Sequence, residues 1–143
     1  MSMVELTLGY PPTVNTYYRN VNGRMLLSKV GRLYKMQAAE IAALEGVLNL
    51  GYEGPVEVWI GAIAPDKRKR DLDNILKPIM DCLQYTGIII DDSQVVCIHA
   101  YKISADKENP GVHICIDPAN REEAKAVADT STGGDDRGGS DLG

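Results

Sequence analysis

Residues 56–92 read VEVWIGAIAPDKRKRDLDNILKPIMDCLQYTGIIIDD, and this stretch decides the fold. Val56, Val58, Ile60 and Ala62 alternate with Glu57, Trp59, Gly61 and Ile63, the period of a half-buried strand. Pro65 closes that strand, and four consecutive bases follow, Lys67-Arg68-Lys69-Arg70. Leu72, Ile75, Leu76, Ile79, Met80 and Leu83 then recur at three and four, which predicts a helix over about 73–85. Pro78 removes one helical hydrogen bond unless it lies in the first turn, which favours a start nearer Ile75. Gly87 ends the helix, and Ile88-Ile89-Ile90 predicts a very short buried strand delivering Asp91-Asp92.

Upstream, Val4, Leu6 and Leu8 alternate with Glu5 and Thr7 as a first strand, and Pro11-Pro12-Thr13-Val14-Asn15 reads as a loop. Tyr17 to Val21 and Arg24 to Leu27 flank Asn22-Gly23, a hairpin turn signal. Ser28 is positioned to cap a helix running to about Leu50, with Gly51 as its stop. Val30, Leu33, Tyr34, Ile41, Leu44 and Leu48 form its expected apolar stripe, broken only by Gln37. Downstream, Val95 to Ile103 reads as a strand. Asn109-Pro110-Gly111 reads as a turn and Val112 to Ile116 as the hairpin partner of that strand. Asp117 and Pro118 would open a last helix, with Glu122 and Glu123 in its first turn. No internal repeat occurs. The order predicts an α+β fold, one domain over 1–128 with helices packed on a mixed sheet. Residues 129–143, rich in Thr, Ser, Gly and Asp, predict a disordered acidic tail.

The 143 residues hold no apolar run of membrane-spanning length, and the N-terminus has neither a basic start nor an apolar core. Both features predict a cytoplasmic protein without a membrane partner. Cys82, Cys97 and Cys115 are odd in number and match no zinc spacing, so they read as small buried hydrophobes in a reducing compartment. His99 and His113 read as sheet-surface or satisfied core histidines rather than metal ligands. The net charge of −5 is unevenly spread. Residues 117–143 carry −4, seven acids against three bases, which leaves −1 for the remaining 116 residues. Between Tyr17 and Lys35 there are five bases and no acid. Local charge therefore argues for a nucleic-acid face that the global charge conceals.

Asp71 and Asp73 flank Leu72 where a strand-side loop meets a helix, and side chains two apart share a face in extended geometry. Leu72 can then plug the core while both carboxylates face outward. Asp92 arrives about twenty residues later, and a helix leading back to a neighbouring strand would set it beside the pair. Three converging carboxylates repel one another unless a hard divalent cation sits between them. Mg²⁺, with Mn²⁺ as the alternative, suits such oxygen ligands. A cation of this kind activates water and stabilises charge on a phosphodiester. Lys77 lies one turn after Asp73, placed to hold phosphate, orient the water or stabilise transition-state charge. Lys67, Arg68, Lys69 and Arg70 would contact the DNA backbone. Arg19 and Arg24 belong to the same basic face, and Tyr17 or Tyr18 could stack on unpaired bases. Each element also has a plainer reading: Asp71 as a helix cap, Asp73 with Lys77 as a surface pair, Asp91-Asp92-Ser93 as a turn. A calcium loop is excluded, because Leu76 stands where Gly is needed and Cys82 where the bidentate Glu belongs.

The run Arg70-Asp71-Leu72-Asp73-Asn74-Ile75-Leu76-Lys77, then Asp81, then Asp91-Asp92-Ser93-Gln94-Val95-Val96, resembles the RusA family of Holliday junction resolvases. Pro11-Pro12-Thr13-Val14-Asn15-Thr16-Tyr17-Tyr18-Arg19, the Asn22-Gly23-Arg24 turn and Ser28 are similar to that family's N-terminal pattern, so the resemblance spans roughly 4–117. It implies a dimeric, Mg²⁺-dependent endonuclease that resolves four-way DNA junctions by paired nicks. By position it implies Asp71, Asp73 and Asp92 as catalytic metal ligands, Lys77 as the catalytic lysine, and Asp91 as a supporting neighbour. A two-fold symmetric homodimer suits two related cuts. The sequence pI of about 5.0 departs from a family whose members are often basic, and the acidic excess lies mostly in the tail. Two rival readings stay open: a branched-DNA-binding protein without catalysis, and a related nuclease acting on forks or flaps.

Overall fold

A computed structural model describes residues 2–119. The helix expected to open at Asp117 and Pro118 does not start there, because both residues close the last strand of the sheet; its remaining residues and the tail of 129–143 lie outside those described. Strand β4 (Val56–Ile63) runs through the middle of a four-stranded mixed sheet in the order β1-β6-β4-β5. β1 is Val4–Leu8, β5 Val95–Ile103 and β6 Gly111–Pro118. Helix α3 (Asp73–Tyr85) carries the chain from β4 to β5, and these two strands pair in parallel, as a strand–helix–strand crossover requires. β6 is antiparallel to both β4 and β1.

The alternation read from the sequence sorts the two faces of the sheet. Val58, Ile60, Leu6, Ile114 and Ile116 point into one core with Tyr34, Ala38 and Ala42 of α2 (Lys29–Leu44) and Ile75, Ile79 and Leu83 of α3. On the opposite face Trp59 and Tyr101 are exposed by 37% and 54%, so the helices cover one face only. Strands β2 (Tyr18–Val21) and β3 (Arg24–Leu27) form a separate hairpin. Asn22 and Gly23 both adopt positive φ, the geometry an Asn-Gly hairpin turn needs.

Four further expectations need correction. First, β6 is not the hairpin partner of β5, because β4 lies between them. The crossover fixes β5 at one edge of β4. The fully buried Val112 and Ile116 claim the other edge, where a strand has neighbours on both sides. Second, Ile88-Ile89-Ile90 is not a sheet strand. Ile88 and Ile89 are buried, but only one bridge, Tyr52 to Ile89, forms, and Ile90 is exposed. Third, α2 stops at Leu44, not near Leu50. Gly46 takes φ +76° and Val47 N–H reaches back to the Ala42 carbonyl at 2.9 Å, a Schellman closure. Its buried stripe is Gly31, Tyr34, Ala38 and Ala42, while Val30, Leu33 and Leu44 face outward. Fourth, the segment expected as a loop contains the short helix α1 (Val14–Tyr17), so Tyr17 closes a helix and is not a strand residue.

α1 and α2 meet at a tight joint. Ser28 caps α2 through Gly31 N–H, and its hydroxyl donates to the Thr16 and Tyr17 carbonyls at 2.6 and 3.0 Å. A Cβ on Gly31 would lie 2.4 Å from the Tyr17 carbonyl oxygen, so only glycine permits this approach.

Candidate active site on helix α3

α3 begins in a tight turn. The Asp71 carbonyl accepts from Asn74 N–H at 3.2 Å and the Leu72 carbonyl from Ile75 N–H at 3.1 Å. Leu72 packs against the core, which leaves Asp71 and Asp73 exposed at the positive end of the helix dipole. The helix starts at Asp73 despite Pro78, which is buried against the core. Lys77 is exposed one turn later, 5.8 Å over the Tyr18 ring. Asp81, a further turn on, accepts the Tyr17 hydroxyl at 2.6 Å and pairs with Lys35 at 3.5 Å. It thereby ties α1, α2 and α3 into one platform under the lysine.

Tyr17 is fully buried, which removes it as a candidate for stacking on DNA. Burial and the hydrogen bond to Asp81 both push its phenol well above the ordinary tyrosine range. Tyr18, half-buried on the hairpin beneath Lys77, keeps part of its ring open, and Arg19 and Arg24 of the same hairpin are exposed.

The basic run is divided by Asp66. Arg70 donates to the Asp66 carboxylate at 2.5 Å and Arg68 at 3.2 Å, and the Arg70 guanidinium sits 5.8 Å over the Tyr10 ring. These bonds, that from Arg70 first, hold the Asp66 carboxyl far below the ordinary carboxylate range. Arg70 is thus folded against the protein, whereas Lys67, Lys69 and most of the Arg68 side chain face solvent.

Asp92 lies elsewhere. It opens a single 3-10 turn (Asp92–Gln94) just before β5, and its N–H bonds to the Gln84 side chain at 3.0 Å, at the far end of α3. Gln84 is eleven residues beyond Asp73, about 16 Å along the helix axis. The sheet register agrees: Val95 pairs with Val56 at the start of β4, while Asp71 follows the end of that strand. Within one chain, Asp92 is therefore not brought beside Asp71 and Asp73, contrary to the expectation from sequence. Asp91 caps the turn, accepting from the Ser93 hydroxyl. Gln94 locks the same turn by accepting from Ile90 and Asp91 N–H at 2.7 and 2.9 Å and donating to the Tyr52 and Gly54 carbonyls.

Residues 9–117 match the family described as endodeoxyribonuclease RusA. A crossover junction endodeoxyribonuclease RusA of Escherichia coli K12 is 37% identical over 107 residues, 75% of this chain and 88% of that protein. The protein of the same name from Enterobacteria phage 82 is 38% identical over 108 residues with the same coverage. That of Shigella sonnei is 36% identical over 107 residues. The matched span runs from Gly9, ahead of the α1 joint, through both ends of α3 to the last strand of the sheet, and on that ground the chain belongs to the RusA family of endodeoxyribonucleases.

Proposed function

We propose that this protein cuts four-way DNA junctions as a two-fold symmetric dimer whose active sites are shared between subunits. The observation that carries this reading is the placement of the carboxylates at opposite ends of one helix. Ligand oxygens of a single Mg²⁺ lie at about 2.1 Å from the ion, so no two of them are separated by more than about 4 Å. Asp71 and Asp73 can serve one such ion, and Asp92 of the same chain cannot join them. A two-fold axis that sets two α3 helices antiparallel supplies Asp92 of the partner subunit to the pair, twice over. Apolar surface for a contact between copies is present on α2 at Val30 and Leu33 and on the open sheet face at Trp59 and Tyr101.

A bound Mg²⁺ would supply a polarised water and charge stabilisation at the scissile phosphate. This chain's residues do the rest. Lys77, held over Tyr18 and braced by the platform at Asp81, presents a fixed positive charge beside the carboxylate pair. Lys67, Arg68 and Lys69 engage phosphates and position the backbone, and Arg19 and Arg24 extend that face along the hairpin. Arg70 keeps the run in place through Asp66. Cytoplasmic DNA is the expected substrate pool; no helix among the described residues is long and apolar enough to cross a membrane.

The test uses labelled four-way junction, fork, flap and linear duplex, with and without Mg²⁺. Paired symmetric nicks in the junction, dependent on Mg²⁺, are expected. Preference for forks or flaps would transfer the reading to a related nuclease, and binding to the junction without cleavage would leave a DNA-binding protein.

A further inference from the structure

The open face of the sheet carries a second, chemically different cluster. Cys97 and His99 are two apart on edge strand β5, so their side chains share a face, and Glu57 on β4 stands opposite Cys97 in register. His99 Nε2 lies 2.8 Å from Glu57 Oε1 and 3.3 Å from Cys97 Sγ, and one donor atom from each of the three residues falls within 4.8 Å of the others. All three residues are half-buried. This is the only such group of three among the described residues, and it includes none of the acids of α3.

Both contacts of His99 converge on the same nitrogen. A catalytic relay would need one partner on each ring nitrogen, which excludes a nucleophile triad. A single proton on Nε2 can serve only one of its two neighbours. A metal ion in the centre serves all three. Ligands at about 2.0–2.3 Å in tetrahedral array stand some 3.3–3.7 Å apart; the His99–Cys97 separation of 3.3 Å already fits, and the 2.8 Å His99–Glu57 contact needs to open by about half an ångström to admit the ion. The Trp59 ring stacks on the His99 ring at 3.8 Å and 13°, fixing its orientation as metal sites require of their histidines.

We propose that Glu57, Cys97 and His99 form a zinc site that clips the edge strand β5 to β4, separate from the carboxylate site at α3. One thiolate, one imidazole and one carboxylate make a borderline-soft donor set that selects Zn²⁺ over Mg²⁺, with water in the fourth position. The Cys-x-His pair escapes a search for zinc spacing because its third member stands forty residues upstream and meets it only through strand register.

Reduced full-length protein, stripped with chelator, is titrated with Co²⁺ as a spectroscopic stand-in. A thiolate-to-cobalt charge-transfer band with the visible bands of a tetrahedral ion is expected at one equivalent. Trp59 fluorescence should change in step, and Zn²⁺, but not Mg²⁺, should abolish the signals. Cys97→Ser should remove the charge-transfer band, and His99→Gln and Glu57→Gln should each weaken binding by more than about 100-fold. Asp71→Asn should leave the titration unchanged. Absence of the band in the wild-type protein, or its survival in Cys97→Ser, would overturn the proposal. A far-UV spectrum of each variant separates loss of ligand from loss of fold.

Discussion

A shared active site makes a prediction that a site within one chain cannot share. Asp73→Asn and Asp92→Asn should each inactivate the protein when present in both subunits. In a mixed dimer the two changes fall together in one site and leave the other with Asp71 and Asp73 of one chain and Asp92 of the partner subunit, all intact. Equal amounts exchanging at random give half mixed dimers, each with one working site of two, so about a quarter of wild-type sites return. The geometric basis is the helix-length separation: about 16 Å lies between Asp73 and Gln84, which holds Asp92, against the roughly 4 Å that one ion allows. The two variants would carry different affinity tags and be co-expressed, and tandem purification would isolate the mixed dimers. On a labelled junction these should yield single nicks, not paired resolution. Mixed dimers as inactive as their parents would refute the sharing of sites, as would a protein that cleaves as a monomer.

Lys77→Ala should lower single-turnover cleavage by about 10²–10³-fold and leave junction affinity nearly unchanged, since one positioned charge among many phosphate contacts is lost. Changing Lys67 and Lys69 together to Gln should weaken binding to every DNA and reduce the log–log salt slope by up to about 1.8, measured by titration at several salt concentrations. Tyr17→Phe should destabilise the fold by about 1.5 kcal/mol in urea unfolding, because it removes a hydroxyl donated to a carboxylate. Burial pushes the Cys82 thiol up to about 12, so its reactive thiolate is scarce at pH 8 and grows only as pH approaches that value. On chelator-stripped protein, a thiol reagent at pH 8 should therefore label the half-buried Cys97 well before the buried Cys82. Truncation after Ala128 should tighten DNA binding modestly at low salt, if the acidic segment competes for the basic face, and equal affinities at two salt concentrations would exclude that competition.

Local signals were legible where one element's chemistry settled the outcome. The alternation of β1 and β4, the Asn22-Gly23 turn, the Ser28 cap and the 73–85 helix stand as read, except that Pro78 does not delay the helix start to Ile75. Failure came where tertiary packing chose between two workable patterns. The stripe Val30-Leu33-Leu44 is a real apolar stripe on α2. The tight joint at Gly31 and the small Ala38 and Ala42 nevertheless turn the neighbouring face to the core. Ile88 and Ile89 are buried as their composition demands, yet they bridge to Tyr52 and not to the sheet, because β5 already occupies that edge. In the α3 region the residue types were visible and their positions were not. Asp66 ahead of the basic run is what withdraws Arg70 from solvent, a pairing at four residues' spacing that a count of bases passes over.

The separation of the carboxylates follows from the topology itself. Because β4 and β5 run parallel, α3 must run back against both. The residues entering α3 and the residues leaving it then stand at opposite ends of the sheet, whatever their spacing in sequence. A motif of two acids, a helix and a third acid is therefore split by any crossover of this kind, and in the proposed dimer a second copy rejoins it. Under the proposed antiparallel pairing, each end of one α3 meets the other end of its partner. The two reunited sites then lie about one helix length apart, on the order of 16–20 Å. Neither site exists without the other, so the cutting centre appears only when the pair has assembled. A four-way junction needs two symmetric cuts, and a single unpaired cut leaves it unresolved. A lone subunit with the full set of acids would be a nuclease free to nick any duplex that its basic face could grip. In the proposed assembly, splitting the set across the two-fold axis would withhold that chemistry until the dimer, with two sites at a fixed spacing, has formed.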